Sequence, residues 1–326
     1  MASVPVVKAA VYDAPGPPGV LRYDDVPDPE IRPGAVLIDV EAISIEGGDT
    51  LNRLRGAVER APHIVGYQCA GTIAEVGAGV SDRHVGQRVV ATVPHGSHAE
   101  RLLAPAAATW LVPDGADIVK IACVPVAWGT ADDCLFEFGR LVAGETVLVQ
   151  AGASGVGLAA IQLAKRAGAT VLATAGDDGK LARLEAFGLD HGINYRTTNF
   201  ADAVFELTNG RGVDLVVESV GSTLADSMSS LAYRGRIAYV GDAGRDDHPV
   251  DLGPLKAGNR SIHGIFLGAE LVAGPRAHDN IDRLIGEVAA GELQVVVDRT
   301  FPLAEAAAAH EYLESRKAFG RVVLIP

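Results

Sequence analysis

The sequence predicts an α/β protein, in which one domain is a doubly wound parallel sheet and the other a small irregular β-barrel. Three observations carry this. The segment Val147-Leu-Val-Gln-Ala-Gly-Ala-Ser-Gly-Val-Gly-Leu158 is an apolar strand that breaks into glycines and opens onto a helical pattern. Around it, apolar strands near 146–150, 170–174, 213–217 and 235–240 alternate with Ala- and Leu-rich helices near 155–167, 178–187 and 222–232, the pattern of a parallel sheet with crossover helices. Before about residue 123 the strands are short and punctuated by Pro and Gly: 8–12, 35–42, 70–76 and 88–93.

The strand–turn–helix segment is the most informative. Gly152, Gly155 and Gly157 allow a tight turn and the close approach of a pyrophosphate. The free N–H groups at the helix start, at Gly155, Val156 and Gly157, attract its charge, and Ser154 adds a hydroxyl. The helix ends at Gly168 and a second strand follows at 169–174, which completes a βαβ unit and reads as a dinucleotide-binding turn. The tail, with a helix over 280–291 and strands at 294–298 and 321–325, returns to the mixed character of the first region and is expected to complete the first domain. The predicted division is 1–123 with 265–326, and 124–264 between them, with ligand at the carboxyl ends of the parallel strands.

Composition narrows the function. The 326 residues are 48% hydrophobic, yet no apolar run reaches the ~18 residues of a membrane span. The start, Met1 to Lys8, has no long apolar core of a signal peptide, and a cytoplasmic protein with no membrane partner is expected. Cys69, Cys123 and Cys134 lie far apart without Cys-x-x-Cys pairing, as suits reduced, packed thiols. A formal charge of −13 and the lack of a basic stripe argue against nucleic acid and for a small-molecule substrate.

At the end of the second strand an NAD site usually places an acidic side chain against the ribose hydroxyls. Here stand Thr174-Ala-Gly176, small enough for a 2′-phosphate, with Lys180 on the following helix as the matching charge, so NADPH is the preferred cofactor. Asp177 and Asp178 argue the other way, and a solvated helix lysine is the plain alternative for Lys180.

Four segments together resemble the zinc-independent quinone oxidoreductase branch of the medium-chain dehydrogenase/reductase superfamily: Gly144 to Gly157, Gly192-Ile-Asn-Tyr-Arg196, Gly212-Val-Asp-Leu-Val-Val-Glu-Ser-Val-Gly221 and Leu313-Glu-Ser-Arg-Lys-Ala-Phe-Gly-Arg321. The resemblance covers essentially the whole length. It implies a GroES-like catalytic domain and a Rossmann domain. It assigns Lys180, Tyr195 and Arg316 to the 2′-phosphate, with Arg321 as a second candidate for the arginine and Arg196 adding charge. It places Thr130, Ser219, Val240 and the segment 265–267 at the ribose or nicotinamide. Relatives commonly form homodimers through an edge strand, for which 235–240 and 260–265 are candidates.

The zinc-dependent relatives bind their catalytic metal with a cysteine, a Gly-His-Glu segment and a further cysteine or aspartate. Glu46 stands where the first cysteine would be, Tyr67 replaces the histidine, and the four-cysteine lobe is missing. His63, His84, His95 and His98 are scattered over loops without ligand spacing, so no metal is expected. The resemblance implies a substrate pocket of Glu46, Asp49, Trp128, Phe266 and Leu267. Tyr67 is the candidate proton donor, or else packs the barrel; Trp128 stacks a flat substrate, or else fills a junction. Family members often carry Asn at the position of Glu46, Tyr at that of Leu51 and an acidic residue at that of Gln68. A carboxylate at 46 disfavours an anionic substrate unless it is protonated or paired. The expected reaction is NADPH-dependent hydride transfer to a quinone or another α,β-unsaturated carbonyl. The alternatives are an enoyl or 2-alkenal reductase, a tailoring ene-reductase, and a non-catalytic NADPH-binding protein.

Overall fold

The computed structural model describes residues 5–245 and 249–326; the first four residues of the segment examined for a leader lie outside the described residues. The chain forms two compact units, Met1–Val126 with Ile281–Pro326, and Ala127–Asn280.

In the first unit, strand Ala35–Ser44 is the organiser. Its side chains alternate so that Val36, Ile38 and Val40 enter the core while Asp39 and Glu41 face solvent. It pairs antiparallel with Gln68–Val76, with Arg101–Pro105 and with Arg321–Ile325. Gln68–Val76 continues the sheet through Arg88–Thr92 to Thr109–Leu111. A second, three-stranded sheet joins Val6–Tyr12 to Arg22–Pro27 and His63–Ile64. The tail is structural here: Val323 lies opposite Ser44 and Leu324 opposite Ile43. This register carries Arg321 to the turn just beyond Ser44.

The tail elements are shifted from their expected positions. The helix runs over Pro275–Ala289 rather than 280–291; a proline is well placed in a first helical turn, where its missing N–H is not needed. The last-but-one strand is Val297–Pro302, because Leu293 and Val295 are used as buried packing instead.

In the second unit six strands form one wholly parallel sheet, in the order His191–Asn194, Thr170–Ala175, Thr146–Val149, Val213–Glu218, Leu231–Tyr239, Ser261–Gly264. Numbered along the chain this is 3-2-1-4-5-6, the doubly wound order with its reversal between the first and fourth strands. Thr146–Val149 and Val213–Val217 are near-continuous apolar runs and buried, as strands covered by helices on both faces must be. Of the two expected edge segments, only Ser261–Gly264 ends the sheet. Leu231–Tyr239 is internal, because its other side pairs with that last strand.

Candidate cofactor and substrate sites

The strand Thr146–Val149 ends at Gln150, and the chain turns through Ala151 to Ser154 into the helix Gly155–Arg166. Ala151 adopts φ of 50°, a left-handed conformation that an alanine rarely takes. It is held there by the turn itself, since its N–H donates to Thr174 Oγ1 at 3.1 Å and that of Gly152 to the Thr174 carbonyl at 2.8 Å. Gly157 has no room for a side chain: a Cβ would stand 2.5 Å from the Ala151 carbonyl oxygen and 2.6 Å from that of Gly152. A Cβ on Gly152 would stand 2.8 Å from Ala173, so it serves the close approach of turn and second strand. Ser154 is the N-cap and its Oγ accepts from Gly157 N–H at 3.0 Å, leaving its own proton to donate outward. Gly155 and Val156 remain half-buried at the helix start, with their N–H groups in the first turn.

Behind this turn runs a buried chain of hydrogen bonds. Thr174 Oγ1 donates to Gln150 Oε1 at 2.7 Å, Gln150 Nε2 donates to Ser227 Oγ at 3.2 Å, and Ser227 Oγ donates to Glu218 Oε2 at 2.6 Å. Glu218 Oε1 accepts from Val220 and Gly221 N–H and from Thr223 Oγ1. The ends of the first, second and fourth strands are thus tied together by side chains that are shielded from solvent. Ser219 Oγ donates to the Gln150 carbonyl at 3.3 Å, and Val240 N–H to that of Glu218 at 2.9 Å, so both sit at this same end of the sheet.

At the end of the second strand each of the two competing carboxylates has one oxygen turned to a partner within the protein. Asp177 is the N-cap of helix Asp178–Glu185 and accepts from Lys180 N–H at 2.9 Å, while Asp178 Oδ1 accepts from Asn194 Nδ2 at 2.9 Å. Tyr195 and Arg196 lie over Gly176, where a Cβ would stand 2.8 Å from the Tyr195 hydroxyl and 3.3 Å from Arg196 Nε. Tyr195 is 42% exposed and Lys180 half-buried. Arg316 belongs to the other unit, exposed, with φ of 59° just after helix Ala306–Glu314. Thr130 and Trp128 are buried on the helix Pro125–Asp132. Phe266, by contrast, is 74% exposed beside Gly268, and Leu267 is buried at the start of the helix Leu267–Ala273.

The first unit gathers the buried Glu46 and Asp49 and the half-buried Tyr67 into one polar cluster. Glu46 precedes the helix Gly47–Arg55, and its N–H donates to Asp49 Oδ2 at 2.8 Å. Its carboxylate makes a buried ion pair with Arg321 and accepts from Ser44 Oγ and Gln68 Nε2, each at 3.1 Å. Arg321 also donates to Ser44 Oγ at 2.6 Å and the Ile45 carbonyl at 2.9 Å. Gln68 is fully used: it donates to the Ala122 carbonyl and accepts from Val126 N–H. The Tyr67 ring lies on Gly48, where a Cβ would stand 2.5 Å from its hydroxyl. Burial, then the nearby Asp49 and Glu46, push the Tyr67 phenol well above its usual range, so it stays protonated. Burial chiefly raises Asp49 well above the carboxylate range as well, and raises Glu46 against the opposing pull of Arg321. Arg321, a second candidate for the cofactor phosphate from sequence, is therefore committed to Glu46.

Comparison with known proteins fits both units. Residues 32–114 match the alcohol dehydrogenase GroES-like domain and residues 155–283 the zinc-binding dehydrogenase family. The 2-haloacrylate reductase of a Burkholderia species is 34% identical, over 98% of this chain and 99% of its own, and the quinone oxidoreductase of Pseudomonas aeruginosa is 32% identical, over 98% and 100%. The Escherichia coli quinone oxidoreductase, solved in complex with NADPH, superposes with a TM-score of 0.90 at 28% identity, over 98% of this chain and 100% of its own. The chain belongs to the quinone oxidoreductase branch of the medium-chain dehydrogenase/reductase superfamily.

The superfamily includes zinc enzymes, and the donors of this member do not suit that metal. Zinc needs thiolate, imidazole or free carboxylate. Glu46 is consumed by Arg321, Tyr67 is a protonated phenol, and burial pushes the Cys123 thiol up to about 11. Among the described residues no group of three His, Cys, Asp or Glu is placed to hold an ion. The dinucleotide of this superfamily fits better, given the side-chain-free turn at Gly157, the Ser154 hydroxyl beside it and the Tyr195 and Arg196 side chains at Gly176.

Sequence reasoning did not find Gln150, Glu218 and Ser227 as the support of the turn, nor the partnership of Arg321 with Glu46. Glu218 had a signal: a carboxylate ending an otherwise apolar buried strand needs several donors. The Arg321 partnership had none, because 275 residues separate the two side chains.

Proposed function

We propose that this protein is an NADPH-dependent, metal-independent reductase that transfers hydride to a quinone or another α,β-unsaturated carbonyl. The observation that carries the reading is the end of the second strand in the parallel sheet. Its two carboxylates accept hydrogen bonds as a helix cap and from Asn194, while the Tyr195 and Arg196 side chains lie at the small residue Gly176 and Lys180 follows in the first turn of the next helix. That arrangement suits a 2′-phosphate, and one oxygen of each carboxylate is already turned to a partner within the protein. Thr174, buried and bonded to Gln150, contributes shape and rigidity. Gly152, Gly155, Val156 and Gly157 receive the pyrophosphate with Ser154. Thr130, Ser219 and Val240 serve the ribose and nicotinamide, and Arg316 adds charge at the phosphate.

When bound, NADPH supplies the hydride, two electrons with one hydrogen, and leaves as NADP⁺. The oxygen of the acceptor gains negative charge as its carbon system is reduced, and a proton must reach it to give the neutral product. Tyr67 carries such a proton: burial and the nearby Asp49 and Glu46 keep its phenol protonated at neutral pH, and we assign it as the donor. We assign Glu46 and Asp49 to the acceptor together with Tyr67, and Trp128, Phe266 and Leu267 to it as apolar or stacking surface. Reduction of an activated carbon–carbon double bond uses the same parts, and the likeness to a 2-haloacrylate reductase favours that as the second reading. The three cysteines are free and buried, which suits a cytoplasmic protein. We place a homodimer contact on the edge strand Ser261–Gly264.

The test is oxidation of NADPH against NADH with 1,4-benzoquinone, 9,10-phenanthrenequinone, an enone and an enal, in the natural protein and Lys180→Ala. Selective turnover with NADPH is expected, with KM for NADPH about tenfold higher in the variant, as for loss of one charged hydrogen bond worth roughly 1.4 kcal/mol. Preference for NADH, or tight NADPH binding without turnover of any acceptor, would overturn the reading; the second outcome would leave a non-catalytic NADPH-binding protein.

A further inference from the structure

Arg321 is an unusual cation. It is buried in an apolar unit, comes from the last strand, and spends its donors on Ser44 Oγ, the Ile45 carbonyl and the Glu46 carboxylate. Of the charged side chains acting on the Tyr67 phenol, Arg321 is basic and Asp49 and Glu46 are acidic. Within this cluster Glu46 is the group that cancels Arg321, and Gln68 Nε2 and Ser44 Oγ hold its carboxylate in place. Asp49, the other acidic side chain acting on Tyr67, adds no positive charge, so beside the Arg321–Glu46 ion pair these side chains present no surplus cation to Tyr67.

We propose that the Arg321–Glu46 pair sets the charge selectivity of the substrate site, so that neutral acceptors are taken and acceptors bearing a carboxylate or sulfonate are disfavoured. This rests on the assignment of Tyr67 to the substrate site made above. An anion entering a buried site loses its hydration and must be repaid by a cation there. Pairing removes the repulsion of a bare carboxylate at 46, but it also uses up the Arg321 charge, so an entering anion finds no counter-charge in this cluster. The same arrangement makes the selectivity reversible by one substitution. Replacing Glu46 with glutamine keeps a hydrogen-bonding side chain for Ser44 and Gln68 but leaves the Arg321 charge uncompensated. In a low-dielectric site that charge acts on a substrate anion over several ångströms, without direct contact.

The experiment compares kcat/KM for 1,2-naphthoquinone and 1,2-naphthoquinone-4-sulfonate, with NADPH, in the natural protein and in Glu46→Gln. Taking the anionic-to-neutral ratio in each protein removes the intrinsic reactivity of the two quinones. The ratio is expected to rise at least about tenfold in Glu46→Gln, whereas mere loosening of the fold lowers both rates and leaves it unchanged. If Glu46→Gln does not fold, Glu46→Asn, which likewise removes the charge, carries the test with a rise in the same direction. An unchanged or lower ratio in a folded variant overturns the proposal. Failure of the natural protein to reduce either quinone is a different result and sinks the functional reading on which it rests.

Discussion

The two units build their polar sites in opposite ways. In the parallel-sheet unit the turn from Gln150 to Gly157 is one continuous stretch, and its shape follows from local rules: glycines where carbonyls crowd, a serine cap, a helix start. In the barrel unit the cluster is assembled from Ser44, Glu46, Asp49, Tyr67, Gln68 and Arg321, brought together by strand register and by the pairing of the last strand with Ala35–Ser44. The first kind of site presents backbone N–H groups to a ligand and is rigid because of what lies behind it. The second consists of ionisable side chains whose charges must cancel, and it is rigid because breaking it leaves a buried charge.

That contrast implies different sensitivities. The largest effect is expected in the barrel unit: Arg321→Met leaves Glu46 buried without its partner and should cost about 3–5 kcal/mol of unfolding free energy, measured by urea denaturation. A loss under about 1 kcal/mol would mean that Glu46 simply takes up a proton. Next, Gly157→Ala drives a methyl group onto two backbone carbonyls. It should cost about 1–3 kcal/mol as an overpacking change, and NADPH affinity should fall more than tenfold by fluorescence titration. Wild-type affinity would show that the turn has slack which the contact distances deny.

A third test again concerns the barrel unit. His98 and His310 are both fully buried, with their Nε2 atoms 3.1 Å apart, so one ring must donate and the other accept. Burial pushes His98 down to about 3. In the unfolded chain the ring takes a proton near its ordinary value of about 6.5, so the stability tied to its neutral form is complete above that pH. It is lost as pH falls from about 6.5 towards 3, at about 1.4 kcal/mol per pH unit for one proton. Between pH 7 and pH 5.5 this should lower the unfolding free energy by about 1.2 kcal/mol, and His98→Gln should flatten the change; equal changes in the two proteins would refute the assignment. The smallest effect is expected for Ser154→Ala, which removes a helix cap worth about 1 kcal/mol and should lower NADPH affinity only a few-fold.

The same contrast explains what was legible in the sequence. The parallel sheet could be read because each strand announces itself as an apolar run and each helix by its period, and the glycine turn because its chemistry is contiguous. The edge strand was half legible: Gly235–Val240 and Arg260–Ile265 look alike as short apolar strands, and only the pairing of one with the other makes the second terminal. Glu46, Asp49 and Tyr67 could be singled out as residue types at suggestive places, and the requirement that a carboxylate at 46 be paired was legible too. Its partner was not. Arg321 sits in a C-terminal segment whose sequence is equally suited to a phosphate contact, and the choice between the two roles is made by a strand register that joins residues 44 and 323.

The measurement that bears most directly on the division of labour between the two units is a comparison of NADPH binding and turnover in Tyr67→Phe. Removing the phenol oxygen leaves the glycine turn and the Lys180 group untouched. The dissociation constant for NADPH should therefore stay within about twofold of the natural value, while kcat with 1,4-benzoquinone falls about 100-fold, the usual scale for a lost proton donor. Turnover within a few-fold of the natural enzyme would contradict the account, because the barrel cluster would then hold its tyrosine for packing alone.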